Sequence, residues 1–294
     1  MTYRRTTNEN SLFVFMRMDE ALQPISEKKQ PLNVVAFTDF SEYGDTAIEH
    51  AVCLARIFSA RLTILPLTKG ELNVRAKEAL ANVVADNLTY LPPFARLEKE
   101  FPQYAEENNV VLVVMATAKE RGKTRFSLKK TMKLLRQWRM PTVVVGNIPP
   151  SADAYSRVVV AVDNQKYVKE TMLWAGYFSR FCRAAITLLV AHYADEYRQK
   201  QVEKNLAFAE RVYSNLEINT FCTEVSGDEV TPLNEQGLQK AKQENHNLLL
   251  LMTTKYPSVI DMLFGRSEDA VVAAANGLPV MCINRRDDLY VLCV

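Results

Sequence analysis

Short continuous runs of apolar residues recur along the chain, separated by polar or helix-periodic stretches. Continuous runs rich in branched residues are typical of strands that are covered on both faces, as in a parallel sheet. The runs that we assign to strands are 34–39, 60–65, 112–117, 141–145, 158–163, 184–189, 249–254 and 279–283. Because helical stretches lie between them, the pattern predicts a doubly wound α/β fold.

Two helices are predicted at equivalent places in this pattern. Residues 45–58 bring Ile48 and Val52 onto one apolar stripe, and residues 167–181 repeat the design. Ser41 precedes the first of these helices, and serine is a favoured N-cap residue because its hydroxyl accepts from a free backbone amide. We therefore expect the first helix to begin directly after Ser41.

The later part of the chain contains one more strand and helix than the earlier part shows clearly. A strand is predicted over 218–225 and a helix over 232–244. The corresponding earlier stretch, 87–93, ends in Pro92 and Pro93. Since proline cannot donate to a strand ladder, any strand there is limited to a sheet edge.

The apolar runs repeat in order, which indicates a tandem duplication. The run ending in Asp39 recurs 124 residues later, ending in Asp163, and the last two pairs of runs are offset by 137 and 138 residues. A linker with two prolines is predicted over 148–153. The predicted organisation is two tandem doubly wound parallel-sheet domains, over 31–150 and 151–294, after an N-terminal extension over 1–30.

Glycine is scarce, with 9 residues in a chain of 294, and no two glycines are closer than ten residues apart. Dinucleotide-binding loops, P-loops and the nucleophile elbow of serine hydrolases all need closely spaced glycines. The sequence therefore excludes these three motifs.

The remaining composition is typical of a soluble globular protein, with 48% hydrophobic residues and a net charge of +2. No apolar run approaches the roughly 18–20 residues that span a bilayer, and no signal-peptide pattern is found, so we expect a cytoplasmic location without a membrane partner. The 5 cysteines include no C-x-x-C and are expected to be reduced. The 3 histidines have no zinc-ligand spacing, so no metal site is expected.

The ordered runs resemble the universal stress protein family over residues 32–284. The segments that carry the resemblance are 34–42, 60–65, 112–117, 140–145, 158–163, 185–190, 248–254 and 278–283. The resemblance implies the adenine nucleotide alpha hydrolase-like fold, with a five-stranded parallel sheet in each domain. It also implies pairing through the last strand, here as an intramolecular pseudo-dimer of the two domains. A homodimer of whole chains is a further option, and no protein partner is identified.

Some members of that family bind ATP through an acid after the first strand and a segment of spaced glycines after the fourth. Glycines let backbone amides at a helix N-terminus approach a phosphate closely. Carried onto this chain, the acids are Asp39 and Asp163, but the glycine positions hold other residues, namely Ala116, Lys119, Lys129, Thr253, Tyr256 and Arg266. The candidate nucleotide-binding residues are Asp163, Thr253, Thr254, Ser267, Asp39 and Ser41. The two aspartates have a second interpretation as acids of surface turns at helix N-termini.

The segment 119–139 has nine basic residues and one acid, so its local net charge is +8 and the rest of the chain sums to −6. Lysine and arginine supply charge to a phosphate or another anion, and the candidate anion-binding residues are Lys119, Arg121, Lys123 and Arg125. The same charges suit an acidic partner, acids of the second half, or a solvated helix face. Nucleic acid is disfavoured because few aromatic residues are interleaved and no recognised binding motif occurs.

The function expected from the sequence is that of a cytoplasmic stress-response or regulatory binding protein of the universal stress protein type. We expect no catalytic residue and no cofactor, because the inherited phosphate segments are degenerate. The alternatives are an ATP or AMP site in the second domain and an anion or acidic-partner site on the segment 119–139.

Overall fold

The structure is a computed structural model that describes residues 31–118, 122, 125–138, 140–216, 218, 220–227, 231–253 and 267–284. The predicted N-terminal extension, Thr254, Tyr256 and Arg266 lie outside these residues. Within them, none of the helices is both long enough and apolar enough to cross a bilayer.

Ten strands form a single sheet in the described part of the chain. They are β1 (Asn33–Thr38), β2 (Arg61–Pro66), β3 (Leu88–Tyr90), β4 (Val110–Ala116), β5 (Thr142–Val145), β6 (Arg157–Val162), β7 (Ala185–His192), β8 (Thr220–Ser226), β9 (Leu248–Thr253) and β10 (Val280–Asn284). Every apolar run assigned from the sequence overlaps one of them. The stretch before Pro92 is the three-residue strand β3, which lies at one edge of the sheet.

The described residues also form eight α-helices. They are α1 (Glu42–Ile57), α2 (Val74–Ala81), α3 (Leu97–Glu107), α4 (Leu128–Trp138), α5 (Lys169–Cys182), α6 (Glu196–Ser214), α7 (Leu233–Gln243) and α8 (Ser267–Ala274). Helix α1 begins after Ser41, whose Oγ accepts a hydrogen bond from the Gly44 amide. Ser41 is therefore the N-cap that the sequence predicts.

The strand order is β3-β2-β1-β4-β5-β10-β9-β6-β7-β8. Strands β1 to β5 run parallel to one another, and so do β6 to β10. Only β5 and β10 pair antiparallel, with Val143 opposite Met281. The α/β fold with a mostly parallel sheet is confirmed. We call β1–β5 with α1–α4 the first half, and β6–β10 with α5–α8 the second half.

Apolar layers cover both faces of the sheet, as the continuous apolar runs predict. In β1, Val34 and Ala36 belong to a core cluster on one face, while Val35 and Phe37 belong to another on the opposite face. The first of these clusters includes residues of both halves. A second cross-half cluster joins Met132 of α4 to Val272 of α8. The two halves therefore share hydrophobic cores on both faces.

Phe58 at the end of α1 and aromatic side chains of α5 hold the halves together on one face. Phe58, directly after α1, contacts Phe178 of α5 with ring centroids 5.4 Å apart, and it also meets Trp174 and Phe181. Tyr155 stacks on Phe178 from the segment between the halves, at 5.7 Å. These large apolar side chains dominate the contact because each buries much surface.

A buried hydrogen-bond chain ties the segment between the halves to α1. His50 Nε2 lies 2.9 Å from the carbonyl oxygen of Ile148, and its Nδ1 lies 2.6 Å from the Tyr155 hydroxyl. Because a carbonyl only accepts, Nε2 carries the proton and the Tyr155 hydroxyl donates to Nδ1. Burial lowers the pKa of His50 to about 4. The imidazole ring of His50 is thus neutral in the folded protein at neutral pH.

Two glycines allow the backbones of the halves to meet beside β5. A Cβ at Gly146 would lie 3.0 Å from Gly277 Cα, and one at Gly277 would overlap the side chain of Ile148. Gly277 also has φ of +92°, a conformation that favours glycine. Gly277 is thus required by its backbone conformation, and a side chain at Gly146 would be crowded against it.

We predict that His50 makes the protein less stable as the pH falls from about 6.5 to about 4. The pKa of His50 is about 4 in the folded protein against 6.5 for a free histidine, so the unfolded chain binds more protons within this window. The full difference corresponds to about 3 kcal/mol of unfolding free energy. Urea unfolding of wild type and His50→Gln at several pH values would measure it.

His192→Gln is the matched control, because His192 is exposed. It should keep the wild-type pH profile, whereas His50→Gln should flatten it. An equally steep loss of stability in His50→Gln would show that other groups cause the acid sensitivity.

Candidate functional site

The carboxyl ends of the strands form the edge at which doubly wound sheets bind ligands. In the first half the chain winds from β1 outward to β2 and β3, then crosses to β4 on the other side of β1. In the second half the chain winds from β6 outward to β7 and β8, then crosses to β9 on the other side of β6. Asp39 directly follows β1 and Asp163 directly follows β6, so both predicted acids lie at these switch points.

In the first half, the protein itself occupies the carboxylate of Asp39. Asp39 Oδ1 accepts hydrogen bonds from the Ser41 amide at 3.1 Å and from the Ser41 hydroxyl at 2.5 Å. Asp39 Oδ2 accepts from the backbone amide of Arg125, which lies 86 residues further along the chain. Both carboxylate oxygens therefore have protein donors.

Gly44 makes the tight turn around this carboxylate feasible. A Cβ at this position would lie 2.7 Å from both Asp39 Oδ1 and Thr38 Oγ1. Contacts below about 3 Å are too short for a methyl group, so a larger residue would displace the first turn of α1. Gly44 thus leaves room for the carboxylate of Asp39. Its position differs from that of the glycines in a phosphate-binding loop.

After β4, residues 117–118 contact residues 126–127, and Arg125 contacts Asp39. Ala118 and Ser127 form a parallel bridge, and the Thr117 hydroxyl donates to the Phe126 carbonyl at 3.3 Å. The Phe126 ring is buried and packs edge-on against Phe37 of β1. Of the four predicted anion-binding residues, only Arg125 lies within the described residues, and it is exposed; Lys119, Arg121 and Lys123 lie outside them.

A second acid near Asp39, not identified from the sequence, holds the segment before α2. Asp45 is buried in the first turns of α1, and its Oδ2 accepts from the Asn73 amide at 3.2 Å. Burial raises the pKa of Asp45, while the Asn73 amide and the charge of Arg75 oppose this shift. Asp45 therefore helps to fix the entry to α2, which Asn73 caps.

In the second half, Asp163 lies in a turn that α6 supports. Its Oδ1 accepts from the Gln165 amide at 2.8 Å, and Asn205 Nδ2 donates to the backbone carbonyls of both Asp163 and Gln165. Burial raises the pKa of Asp163, while the hydrogen bonds of Gln165 and the charge of Arg198 act in the opposite direction. The turn is thus rigidly held at the switch point of the second half.

The hydrogen bonds described for the other candidates of the second half do not involve Asp163. Thr253 is buried, and its hydroxyl donates to Asn284 Oδ1, while the Ile283 carbonyl oxygen lies 3.3 Å from the same hydroxyl. Ser267 begins α8, and its hydroxyl accepts from Asn234 Nδ2 at 3.4 Å. These contacts join Thr253 and Ser267 to different neighbours, so their assignment to one nucleotide site stays a prediction.

Arg136 of the segment 119–139 forms a buried ion pair between the two halves. Contact with acids of the second half was one of several interpretations of the charge of this segment. Arg136 of α4 lies 3.1 Å from Glu268 Oε1 and also contacts the carboxylate of Asp269, both in the first turn of α8. Arg136 and Glu268 are 8% and 4% exposed. Burial would lower the pKa of Arg136, but Asp269 and Glu268 raise it above its ordinary value. The cation therefore stays charged inside the junction.

The other cations of α4 belong to exposed residues, and Lys130 Nζ lies 5.8 Å from the centre of the Phe126 ring. Lys129, Lys130 and Lys133 are exposed, and α4 contains no acidic residue. Among the described residues, no group of three His, Cys, Asp or Glu side chains is arranged to hold a metal ion. The described part of the basic segment is thus divided between an inward arginine and an outward set of lysines.

Comparison with solved structures shows the universal stress protein fold. The chain is similar to a universal stress protein from Archaeoglobus fulgidus DSM 4304, with a TM-score of 0.60 and 16% identity, over 87% of this chain and 97% of that one. The resemblance inferred from the sequence is confirmed at the level of the fold.

Shorter universal stress proteins align with about half of the chain. One in complex with cAMP covers 45% of this chain and 99% of its own, with 16% identity and a TM-score of 0.36. A member from Burkholderia pseudomallei covers 46% and 98%, with 14% identity and a TM-score of 0.34. No family model and no curated protein matches the chain.

We predict that Arg136→Met lowers the unfolding free energy by about 3–5 kcal/mol, because it leaves the buried carboxylate of Glu268 without its cation. Urea unfolding at neutral pH would measure the loss. Lys133→Met on the exposed face of the same helix is the matched control and should change stability by no more than about 0.5 kcal/mol. Equal losses in the two variants would show that the ion pair contributes nothing specific.

Proposed function

We propose that this protein is a cytoplasmic stress-response or regulatory binding protein of the universal stress protein type, without enzymatic activity. The observation that carries the proposal is the state of Asp39, the acid at which a nucleotide would be expected. Its carboxylate is bound by Ser41 and by the backbone amide of Arg125. A nucleotide at this acid would have to displace contacts that the folded chain already makes.

The residues in the phosphate-segment positions support the same proposal. A phosphate site at a helix N-terminus needs backbone amides that the ligand can approach closely. At the corresponding positions of the first half the chain has Ala116, Lys119 and Lys129, and Lys129 is an exposed residue in the first turn of α4. A charged side chain replaces the permissive backbone there, which favours loss of the inherited phosphate site.

We also propose that residues 31–150 and 151–294 are tandem domains paired within the chain. The strand order of the first half, read outward from the junction, is repeated in the second half. The antiparallel pair β5–β10, the α1–α5 aromatic contact and the Arg136–Glu268 ion pair all join the two halves. An intramolecular pseudo-dimer accounts for these contacts together.

A second candidate function is ATP or AMP binding by the second half. Asp163 favours it, since this acid lies at a switch point in a turn held by Asn205. The hydrogen bond described for the Asp163 carboxylate comes from Gln165, two residues away, whereas Asp39 also accepts from the Arg125 amide, 86 residues away. Asp163 would recognise the nucleotide, and Thr254 and Ser267 would supply hydroxyl groups to bind it.

A third candidate function is binding of an acidic partner by α4. Lys129, Lys130 and Lys133 form an exposed basic face without acidic neighbours on the helix. Exposed cations of this kind steer association with an oppositely charged surface, and salt weakens the interaction.

Calorimetry with ATP and AMP tests the first proposal against the second. We expect no binding with a micromolar dissociation constant by wild type or by Asp39→Ala. Micromolar binding that is lost in Asp163→Ala and retained in Glu203→Ala would overturn the first proposal and establish the nucleotide site of the second half. Glu203 is a suitable control because it is an exposed acid of the same half.

Charge reversal tests the acidic-partner candidate, with poly-L-glutamate as the probe. The triple variant Lys129→Glu, Lys130→Glu, Lys133→Glu should weaken binding at low salt at least tenfold. A control with the same change in net charge is Lys200→Glu, Lys204→Glu, Arg211→Glu on α6, where exposed acids are interspersed. Equal weakening in both triple variants would mean that only the net charge matters, and the candidate site on α4 would be rejected.

A further inference from the structure

A cavity of about 300 Å³ lies at the junction of the two halves, and neither Asp39 nor Asp163 is among its described lining residues. The first half contributes Val145 of β5 and Asn147 just after it, and the second half contributes Val272 of α8 and Asn276 just after that helix. Neither half forms this cavity alone. We call it the junction cavity.

The described lining of the junction cavity contains no charged residue and no histidine. Its apolar walls include the side chains of Leu128, Val144, Val272 and Leu278. A charged ligand would lose its hydration there without gaining an ion pair from these walls, which is costly. The described chemistry therefore favours an uncharged ligand.

Polar groups are present at the solvent side of the junction cavity. Asn147 and Asn276 line it and are exposed, while Tyr43 and Thr117 line it and are half-buried. Small-molecule sites commonly combine apolar walls with a few polar groups that orient the ligand. One or two hydrogen-bonding groups on the ligand would suit this arrangement.

The size of the junction cavity limits the ligand further. A dry cavity of about 150 Å³ accepts a single benzene ring, and a cavity of about twice that volume accommodates about two fused rings. Since the cavity volume is about 300 Å³, a compound larger than this would protrude into solvent.

We propose that the junction cavity binds a small, uncharged compound with the volume of about two fused rings and with a hydrogen-bonding group. Because both halves line the cavity, the bound compound contacts both and stabilises their packed arrangement. A ligand that binds only the packed state raises its stability through mass action. The site is independent of the nucleotide and acidic-partner functions, so its test does not depend on theirs.

Indole is the probe for this proposal, and indole-3-acetate is its charged counterpart. Saturation-transfer NMR on the full chain should show saturable indole binding in the micromolar to low millimolar range. Indole-3-acetate should bind at least tenfold more weakly. Absence of saturable indole binding, or tighter binding of indole-3-acetate, would overturn the proposal.

Two neighbouring alanines provide a matched pair of variants. Ala273 lines the junction cavity, whereas Ala274 is exposed and lies outside the described lining. Ala273→Leu fills part of the cavity and should weaken indole binding at least tenfold, while Ala274→Leu should leave it unchanged. Indole binding that is equal in both variants would place the probe elsewhere and refute the assignment.

A measurement on the wild-type protein covers the case in which Ala273→Leu does not fold. Methyl resonances of Val145, Val272 and Leu278 should shift on titration with indole, because these residues line the junction cavity. The methyl groups of Val84, which is exposed on the first half, should not shift. Shifts that spread over the surface without favouring the cavity would refute the proposal.

Discussion

The antiparallel pairing of β5 with β10 is the constraint on which the rest of the structure depends. It turns two parallel sheets into one continuous ten-stranded sheet, and it fixes which helices lie next to each other on the two faces. On one face Phe58 meets Phe178, and on the other Arg136 meets Glu268. The shared cores, the buried ion pair and the junction cavity are all consequences of this single strand pairing.

The parts of this structure that local sequence patterns encode could be predicted. Continuous apolar runs located the strands because both faces of the sheet are covered, and Ser41 marked the start of α1 because it caps that helix. Parallel strands bring their carboxyl ends to one edge, which placed Asp39 and Asp163 at the switch points. The proline pair at 92–93 correctly limited β3 to an edge.

Contacts between distant residues could not be predicted, because they depend on the path of loops. The Arg125 amide reaches Asp39 across 86 residues, and Tyr155 reaches His50 across 105, without any local signal in either segment. Thr253 lies opposite Asn284 in the ladder and bonds to it, so its hydroxyl is used within the sheet. The charge of the segment 119–139 indicated a contact, but it did not distinguish Arg136 from the exposed lysines.

The ion pair of Arg136 makes the contact between the two halves asymmetric. Two identical subunits related by a two-fold axis present every interface residue twice, so an arginine at the contact would appear on both sides. Here the position 138 residues after Arg136 is Ala274, so the cation occurs once and its carboxylate partners come only from α8. Covalent linkage removes the need for self-complementarity, and each half can specialise while its partner stays present at a fixed one-to-one ratio.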